Sequence, residues 1–331
     1  MVHLKQVQTI TDILYGTFEV EAVLGELLTC DALLRLKNIH QGGGAFLVNQ
    51  NWSTTRYEHS VGVMILIRLL GGTLEEQILG LLHDISHTAF SHVIDYLMEE
   101  AEEDYHEKIY EEVIESSQIP SILNKYGMDA KALLTMNSLL LDSPLPNLCA
   151  DRIDYTLRDL FHCKFINKDE IHSFINALTV KDNEICLTSQ SMAEWFTKVY
   201  YREVIDFFMD PLNIYANDAL TRLLKQALKK SVITLEDFKR DDAWILDKIT
   251  ASQDQDLLQL LKQINSHVIL IEDDSQYDIY RKPKPRMVDP LLCIDGMDPV
   301  PISTVSTEIQ QLIKVALKKL HRGTYLKVIP Y

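Results

Sequence analysis

A chain of 331 residues, 47% hydrophobic and 24% charged, has the composition of a soluble globular protein and the length of one large or two small domains. Its formal net charge of −16 repels nucleic-acid phosphates, which argues against an extended nucleic-acid surface. A small anionic substrate stays compatible, because local Arg, Lys, His or metal can invert the field inside a pocket.

In chain order, MVHLKQVQTITDILYG lacks a basic region followed by an apolar run, so it does not read as a signal peptide. Residues 1–40 carry apolar positions at helical spacing, and the glycine cluster at 42–44 marks a turn or a close backbone approach. Arg56 to Leu97 reads as helical almost throughout, broken at Gly71-Gly72. Its most apolar stretch, 61–70, contains Arg68 and is too short to span a bilayer. The acidic run Glu99–Asp104 reads as a solvated helix end or loop.

Helical patterns resume at 105–117 and 129–142, and Pro144 and Pro146 precede a new helix from about Leu148 to Phe161. Residues 180–188 alternate as a short hairpin, Ser191–Lys230 is a long helical stretch bent near Pro211, and a further helix runs from about Asp241 to Ile264. HVILIEDD, QYDIYRKP and TYLKVIPY look like strands around one amphipathic helix, Glu308–Lys319. The expected fold is mainly α: a helical domain over 1–230 with a small α+β C-terminal region, 231–331, packed on it. The five scattered cysteines, with no CxxC pair, and the missing leader predict a cytoplasmic protein with no membrane partner.

Chemistry concentrates in TRYEHSVGV (55–63) and GLLHDISHTAFSHVID (80–95), which hold His59, His83, Asp84, His87, His92 and Asp95. On a helix, His83 and His87 would share a face at i, i+4. A His-Asp pair emerging from the apolar run 78–82 needs partners, because unpaired polar groups in apolar surroundings are costly. Imidazoles with carboxylates suit Mn, Fe, Co, Zn or Mg rather than soft-metal thiolate chemistry. In ADRIDYTLRD (150–159), Asp151, Tyr155 and Asp159 fall at i, i+4, i+8 on one helix stripe flanked by Arg152 and Arg158. Taken alone, that stripe reads first as a solvated helix face with ordinary ion pairs.

The order His, then His-Asp, then a distant Asp resembles the motif of the HD phosphohydrolases. RYEHSVGV, HDISHTAFSHVID, HEK at 106–108 and DRIDYTLRD are closer still to their deoxynucleoside-triphosphate triphosphohydrolase branch. The resemblance is clear over residues 30–165 and weaker over 190–292, and the chain is expected to carry no SAM domain. It implies the helical HD-domain fold and a divalent transition metal (Fe, Mn, Co or Zn) on His59, His83, Asp84 and Asp151, with Mg as an addition bound together with substrate.

It further implies that Arg56 grips substrate phosphate and that Arg152 stands where the branch has a phosphate-binding lysine. His87 and His92 would lie beside the scissile phosphate, with His92 as general acid. His106, Glu107 and Asp95 would orient that chemistry, while Tyr155 and Asp159 would hold a sugar. Arg202 matches a branch arginine, whereas Val204 takes the place of a sugar-packing Tyr, and the order His40-Gln41-Gly42 also departs from the branch.

The implied function is metal-dependent hydrolysis of (deoxy)nucleoside triphosphates to nucleoside and triphosphate. Two alternatives stand beside it: a phosphomonoesterase or phosphodiesterase acting on another phosphorylated small molecule, and a non-enzymatic nucleotide sensor. A homo-oligomer is expected from the amphipathic C-terminal helix together with the resemblance.

Overall fold

The computed structural model describes residues 8–99, 104–284, 286–294 and 298–329. The chain opens with a hairpin, β1 (Gln8–Asp12) and β2 (Gly16–Val20), followed by helices α1 (Ala22–Leu28), α2 (Asp31–Arg35), α3 (Arg56–Leu69), α4 (Leu74–Leu82), α5 (Val93–Met98), α6 (Tyr105–Glu115), α7 (Ile119–Lys125) and α8 (Ala130–Leu134). Next come α9 (Ala150–His162), α10 (Lys168–Ala177), β3 (Leu178–Lys181), β4 (Glu184–Leu187), α11 (Gln190–Arg202), α12 (Pro211–Lys229), α13 (Asp242–Ala251) and α14 (Gln255–Gln263). The last elements are β5 (Ile269–Glu272), β6 (Ile279–Arg281), β7 (Leu291–Leu292), β8 (Val300–Pro301), α15 (Ile302–Val305), α16 (Thr307–Arg322) and β9 (Thr324–Ile329). The fold is thus mainly α with a small C-terminal α+β part.

The chain clusters into two compact units, each built from separated segments. The first comprises Met1–Gly43, Ser53–Ser138 and Thr221–Leu261; the second comprises Gly44–Trp52, Leu139–Leu220 and Lys262–Tyr331.

In the first unit, helical spacing misleads over residues 8–20. β-Branched residues favour strand there, and Gly16 at φ +97° supplies a left-handed turn, so Gln8 pairs with Val20 and Asp12 with Gly16. Residues 1–7 lie outside the described segment. The helix α3 starts where Thr55 and Glu58 close a capping box. Its residues Val63 to Ile67 are fully buried, each side chain contributing about 1.5–3 kcal/mol. Against it packs α4, at Gly80, where a Cβ would meet Ile67 Cδ1 at 2.5 Å.

The expected continuous helix through 83–92 is absent. After α4 the chain turns at His83–Ser86, and Phe90 and Ser91 take left-handed φ of 60° and 51°. His83 and His87 therefore do not share a helix face. Among residues 99–104, Glu99 is left-handed and Asp104 precedes α6, while 100–103 lie outside the described residues. The helix expected over 129–142 is regular only at Ala130–Leu134.

In the second unit, α9 follows the proline-broken segment, and Ala150 N donates to Leu140 O at 2.7 Å. The break expected near Pro211 is a π-helical turn, Glu203–Phe207, after α11. The hairpin β3–β4 extends into a four-stranded sheet of order β3-β4-β7-β8, and β5-β9-β6 form a second, antiparallel sheet. Among the described residues no helix is long and apolar enough to cross a membrane.

Candidate metal centre

Four pieces of the first unit deliver the polar cluster. The capped first turn of α3 carries Arg56 and His59; the turn after α4 carries His83, Asp84 and His87; α5 and α6 carry His92, Asp95 and His106. At the centre is Asp84, 4% exposed. Its Oδ2 accepts from Arg56 Nη1 at 2.7 Å and lies 3.7 Å from His59 Nε2. Its Oδ1 lies 3.5 Å from His83 Nε2 and 3.2 Å from His87 Nε2. Burial pushes the Asp84 carboxyl up, but the Arg56 cation beside it overrides this and holds the group well below the usual carboxylate range.

Proton positions follow from the partners. Gly80 O can only accept, and it lies 2.7 Å from His83 Nδ1, so that nitrogen carries the proton. A neutral His83 then turns its Nε2 lone pair toward the Asp84 carboxylate, two electron-rich groups facing one another. A ring nitrogen of His59 lies within 4.8 Å of one of His83. A cation reconciles this arrangement, and the nitrogen and oxygen donors suit a divalent transition metal. The backbone bond at Nδ1 is also how histidine ligands are oriented. The residues present therefore fit a metal ion.

Beside this group the rings of His87 and His106 stack at 4.0 Å, and His92 meets both edge-on. His92 Nδ1 is 3.1 Å from Asp95 Oδ2, and Asp95 Oδ1 accepts from Tyr105 N at 3.0 Å. Burial drives His87 well below its ordinary value, and burial followed by the His92 charge pushes His106 down to about 4. Glu107, expected to join this set, is exposed on α6; the carboxylate that pairs with a histidine here is Asp95.

The remaining expected residues belong to the second unit. Asp151 is in the first turn of α9. Arg152 donates to Asn147 O at 2.8 Å and to Asp142 Oδ1 at 3.3 Å. Tyr155 is buried with its hydroxyl 3.4 Å from that of Tyr200. The buried Asp159 faces the fully buried Glu203, whose carboxyl is raised by burial and then by the Asp159 charge. Arg202 lies over the Phe165 ring at 4.0 Å, and Val204 is fully buried in the π-helical turn.

Sequence reasoning missed Ser91, which accepts from Arg56 Nε at 3.0 Å, and the buried Asp242, which binds His40. Ser91 sits inside the HDISHTAFSHVID stretch without a role of its own there, and Asp242 has no local motif; their partners lie 35 and 202 residues away.

The HD domain family matches residues 56–159. The uncharacterized protein YdhJ of Bacillus subtilis is 47% identical over 322 residues, covering 97% of this chain and 99% of that protein. Metal-dependent phosphohydrolase cns2 of Cordyceps militaris is 29% identical over 320 residues, 92% of each chain. Deoxynucleoside triphosphate triphosphohydrolase SAMHD1 of Homo sapiens is 29% identical over 150 residues, 38% of this chain and 24% of that protein.

Proposed function

Since the chain belongs to the HD superfamily of metal-dependent phosphohydrolases, we propose that it hydrolyses (deoxy)nucleoside triphosphates to nucleoside and triphosphate. The observation that carries the hydrolytic part is the convergence of Arg56, His59, His83 and His87 on the two oxygens of Asp84. In this reading His59, His83 and Asp84 hold Fe, Mn, Co or Zn, and Asp151 supplies a further oxygen, on the strength of its place at the end of the His, His-Asp, Asp order. When bound, such an ion lowers the pKa of its water from about 15.7 toward 7 and polarises a phosphoryl oxygen.

The chain's own groups do the rest. Arg56 commits two N–H donors to Ser91 and Asp84 and presents its cationic edge to substrate phosphate. His92, oriented by Asp95, protonates the leaving oxygen. His87 and His106, kept neutral by burial, wall that proton transfer. Nucleotide is the favoured substrate because Asp151, Tyr155 and Asp159 lie along one helix, whose rise of about 1.5 Å per residue separates a phosphate end from a sugar end. The SAMHD1 likeness supports the same substrate class. Arg152 and Arg202 contribute positive charge on this side, and Mg enters together with the substrate. A cytoplasmic homo-oligomer belongs to the same reading, supported by five cysteines outside any disulfide and by the amphipathic α16.

A second reading, a phosphomonoesterase or phosphodiesterase on another small phosphorylated molecule, is favoured by one observation. Val204 is a buried aliphatic residue where the triphosphohydrolase branch carries a sugar-packing Tyr.

The test is metal analysis of the purified protein followed by product identification on paired ribo- and deoxyribonucleoside triphosphates. Triphosphate release supports the first reading, and inorganic phosphate from other esters supports the second. Retained nucleotide binding without turnover, insensitive to metal removal, would leave a sensor. Under the first reading Asp159→Ala weakens nucleotide binding about ten-fold, as one lost hydrogen bond to a sugar hydroxyl implies, with metal content unchanged.

A further inference from the structure

The Arg56 guanidinium is held at both ends. Its Nη1 donates to Asp84 Oδ2 at 2.7 Å and its Nε to Ser91 Oγ at 3.0 Å. The Ser91 hydroxyl in turn donates to His40 O at 2.8 Å, so its position depends on two pieces of chain: the turn that carries it and the segment around His40.

The turn is unusual. Phe90 and Ser91 are consecutive residues with side chains, and both are in the left-handed region, at φ 60° and 51°. Such backbone persists only where the surroundings over-determine it. Here the surroundings come from the start of α13 and the residues before it. Ala89 N donates to Phe238 O at 2.9 Å. Asp242, 2% exposed, accepts from Phe90 N through Oδ1 at 2.6 Å. Its Oδ2 accepts from His40 N at 3.0 Å and lies 2.8 Å from His40 Nδ1.

We infer that Asp242 is a positioning residue of this site: one carboxylate fastens the Phe90-Ser91 turn with one oxygen and the His40 segment with the other, and through Ser91 fixes the Arg56 guanidinium against Asp84. A further tie fits this role, since Arg56 N donates to Ile39 O at 2.9 Å, so the first residue of α3 rests on the same His40 segment. Only a carboxylate satisfies the site. Each of its two oxygens accepts a backbone N–H, from Phe90 and from His40, whereas an Asn of the same shape has one acceptor oxygen and turns an NH₂ group toward the other N–H. Asp242 lies outside the matched HD region, 56–159.

The kinetic consequence rests on the phosphohydrolase reading; the structural one does not. Two readouts therefore separate them. The first is hydrogen exchange of the Arg56 Nε–H by NMR, the resonance being assigned by its loss in Arg56→Lys. It should exchange slowly in the parent and about ten-fold faster or more in Asp242→Asn and in Ser91→Ala, as expected for a lost hydrogen bond to a charged donor. Ser91→Ala cuts only the last link and sets the size of the effect; if Asp242→Asn folds poorly, Asp242→Glu, which keeps both oxygens on a longer arm, takes its place with the same expected rise in exchange. The second is steady-state kinetics on whichever phosphorylated substrate the parent hydrolyses. Both variants should raise KM about ten-fold with a smaller change in kcat, because a loosened guanidinium loses hold of phosphate in ground and transition states alike.

Unchanged Arg56 exchange in the Asp242 variant overturns the inference, whatever Ser91→Ala does, and a lowered melting temperature with unchanged KM reduces Asp242 to a scaffold residue. If the parent hydrolyses nothing, the phosphohydrolase reading fails while the exchange measurement still decides the clamp.

Discussion

Among the described residues each unit buries one Arg-Asp pair, and the two pairs are built differently. In the second unit Arg158 and Asp154 are four residues apart on α9, both fully buried, joined by two parallel bonds, Nε to Oδ2 at 2.9 Å and Nη2 to Oδ1 at 2.8 Å. The geometry is bidentate and closes within one helical turn. In the first unit Arg56 makes one bond to Asp84, and three imidazoles face the same carboxylate between 3.2 and 3.7 Å. The α9 pair neutralises itself and has no need of a further cation. Asp84 gathers donors that point at one another as much as at the carboxylate, and a cation is the simplest group that satisfies them together. Burial and charge alone do not distinguish a site from a scaffold; the difference lies in whether the partners complete one another.

The sharpest way to break this contrast is at Asp84. Asp84→Ala should lose both bound metal and turnover to background, as read by elemental analysis and product release; a variant that keeps its metal would move the centre elsewhere. Next in size is the proton donor. His92→Ala should retain metal and lose kcat by roughly 10²–10⁴-fold, the usual worth of a positioned general acid. Parallel loss of metal in that variant would make His92 a ligand.

The α9 pair should behave in the opposite sense. Asp154→Ala strands Arg158 in the core and should destabilise the protein by about 3–5 kcal/mol in urea unfolding, with metal content per folded molecule unchanged. Replacing both residues, Asp154→Leu with Arg158→Leu, should recover most of that loss, because the stranded charge disappears. A double variant as unstable as the single one would mean that the pair does more than neutralise itself.

How much of this could be read from the sequence follows from the range of each interaction. The order His59, His83-Asp84, Asp151 is a pattern along the chain and is visible without coordinates, as are the hairpin at 180–188 and the strands around α16. What was misread depends on local backbone. The period of the apolar residues runs on through 83–92, yet the chain leaves the helix at His83 and takes two left-handed residues, which side-chain periodicity does not encode. The 8–20 hairpin was missed because a few apolar residues at helical spacing outweighed its β-branched alternation and Gly16. Arg158 reads in the sequence as one flank of a stripe and Asp154 carries no signal there, although the full burial of the pair is what distinguishes it. Asp242 was illegible: its partners His40 and Phe90 are 202 and 152 residues away, and nothing around it marks one aspartate among the chain's 48 Asp and Glu residues.

The smallest expected effect concerns the histidine stack. His106 lies on His87 and is pushed down to about 4 from an ordinary value of 6.5, by burial first and then by His92 and Arg56, against the opposing pull of Asp84 and Asp95. As pH falls below 6.5, the unfolded chain takes up a proton at this residue and the folded chain does not, so stability falls with pH. The contribution is fully present above about 6.5 and is lost progressively down to about 4, where the folded state protonates as well. Linkage sets the slope at no more than about 1.4 kcal/mol per pH unit for one such group. His87, lowered in the same direction, adds to the slope in the parent. His106→Phe keeps a ring against His87 and removes one titrating group, so its stability should decline less steeply over the same window. Urea unfolding of both proteins at several pH values between 7 and 4.5 measures the difference. Identical slopes would mean that His106 takes up its proton in the folded state as readily as in the unfolded chain, and the neutral wall beside the proton-transfer histidine would have to be abandoned.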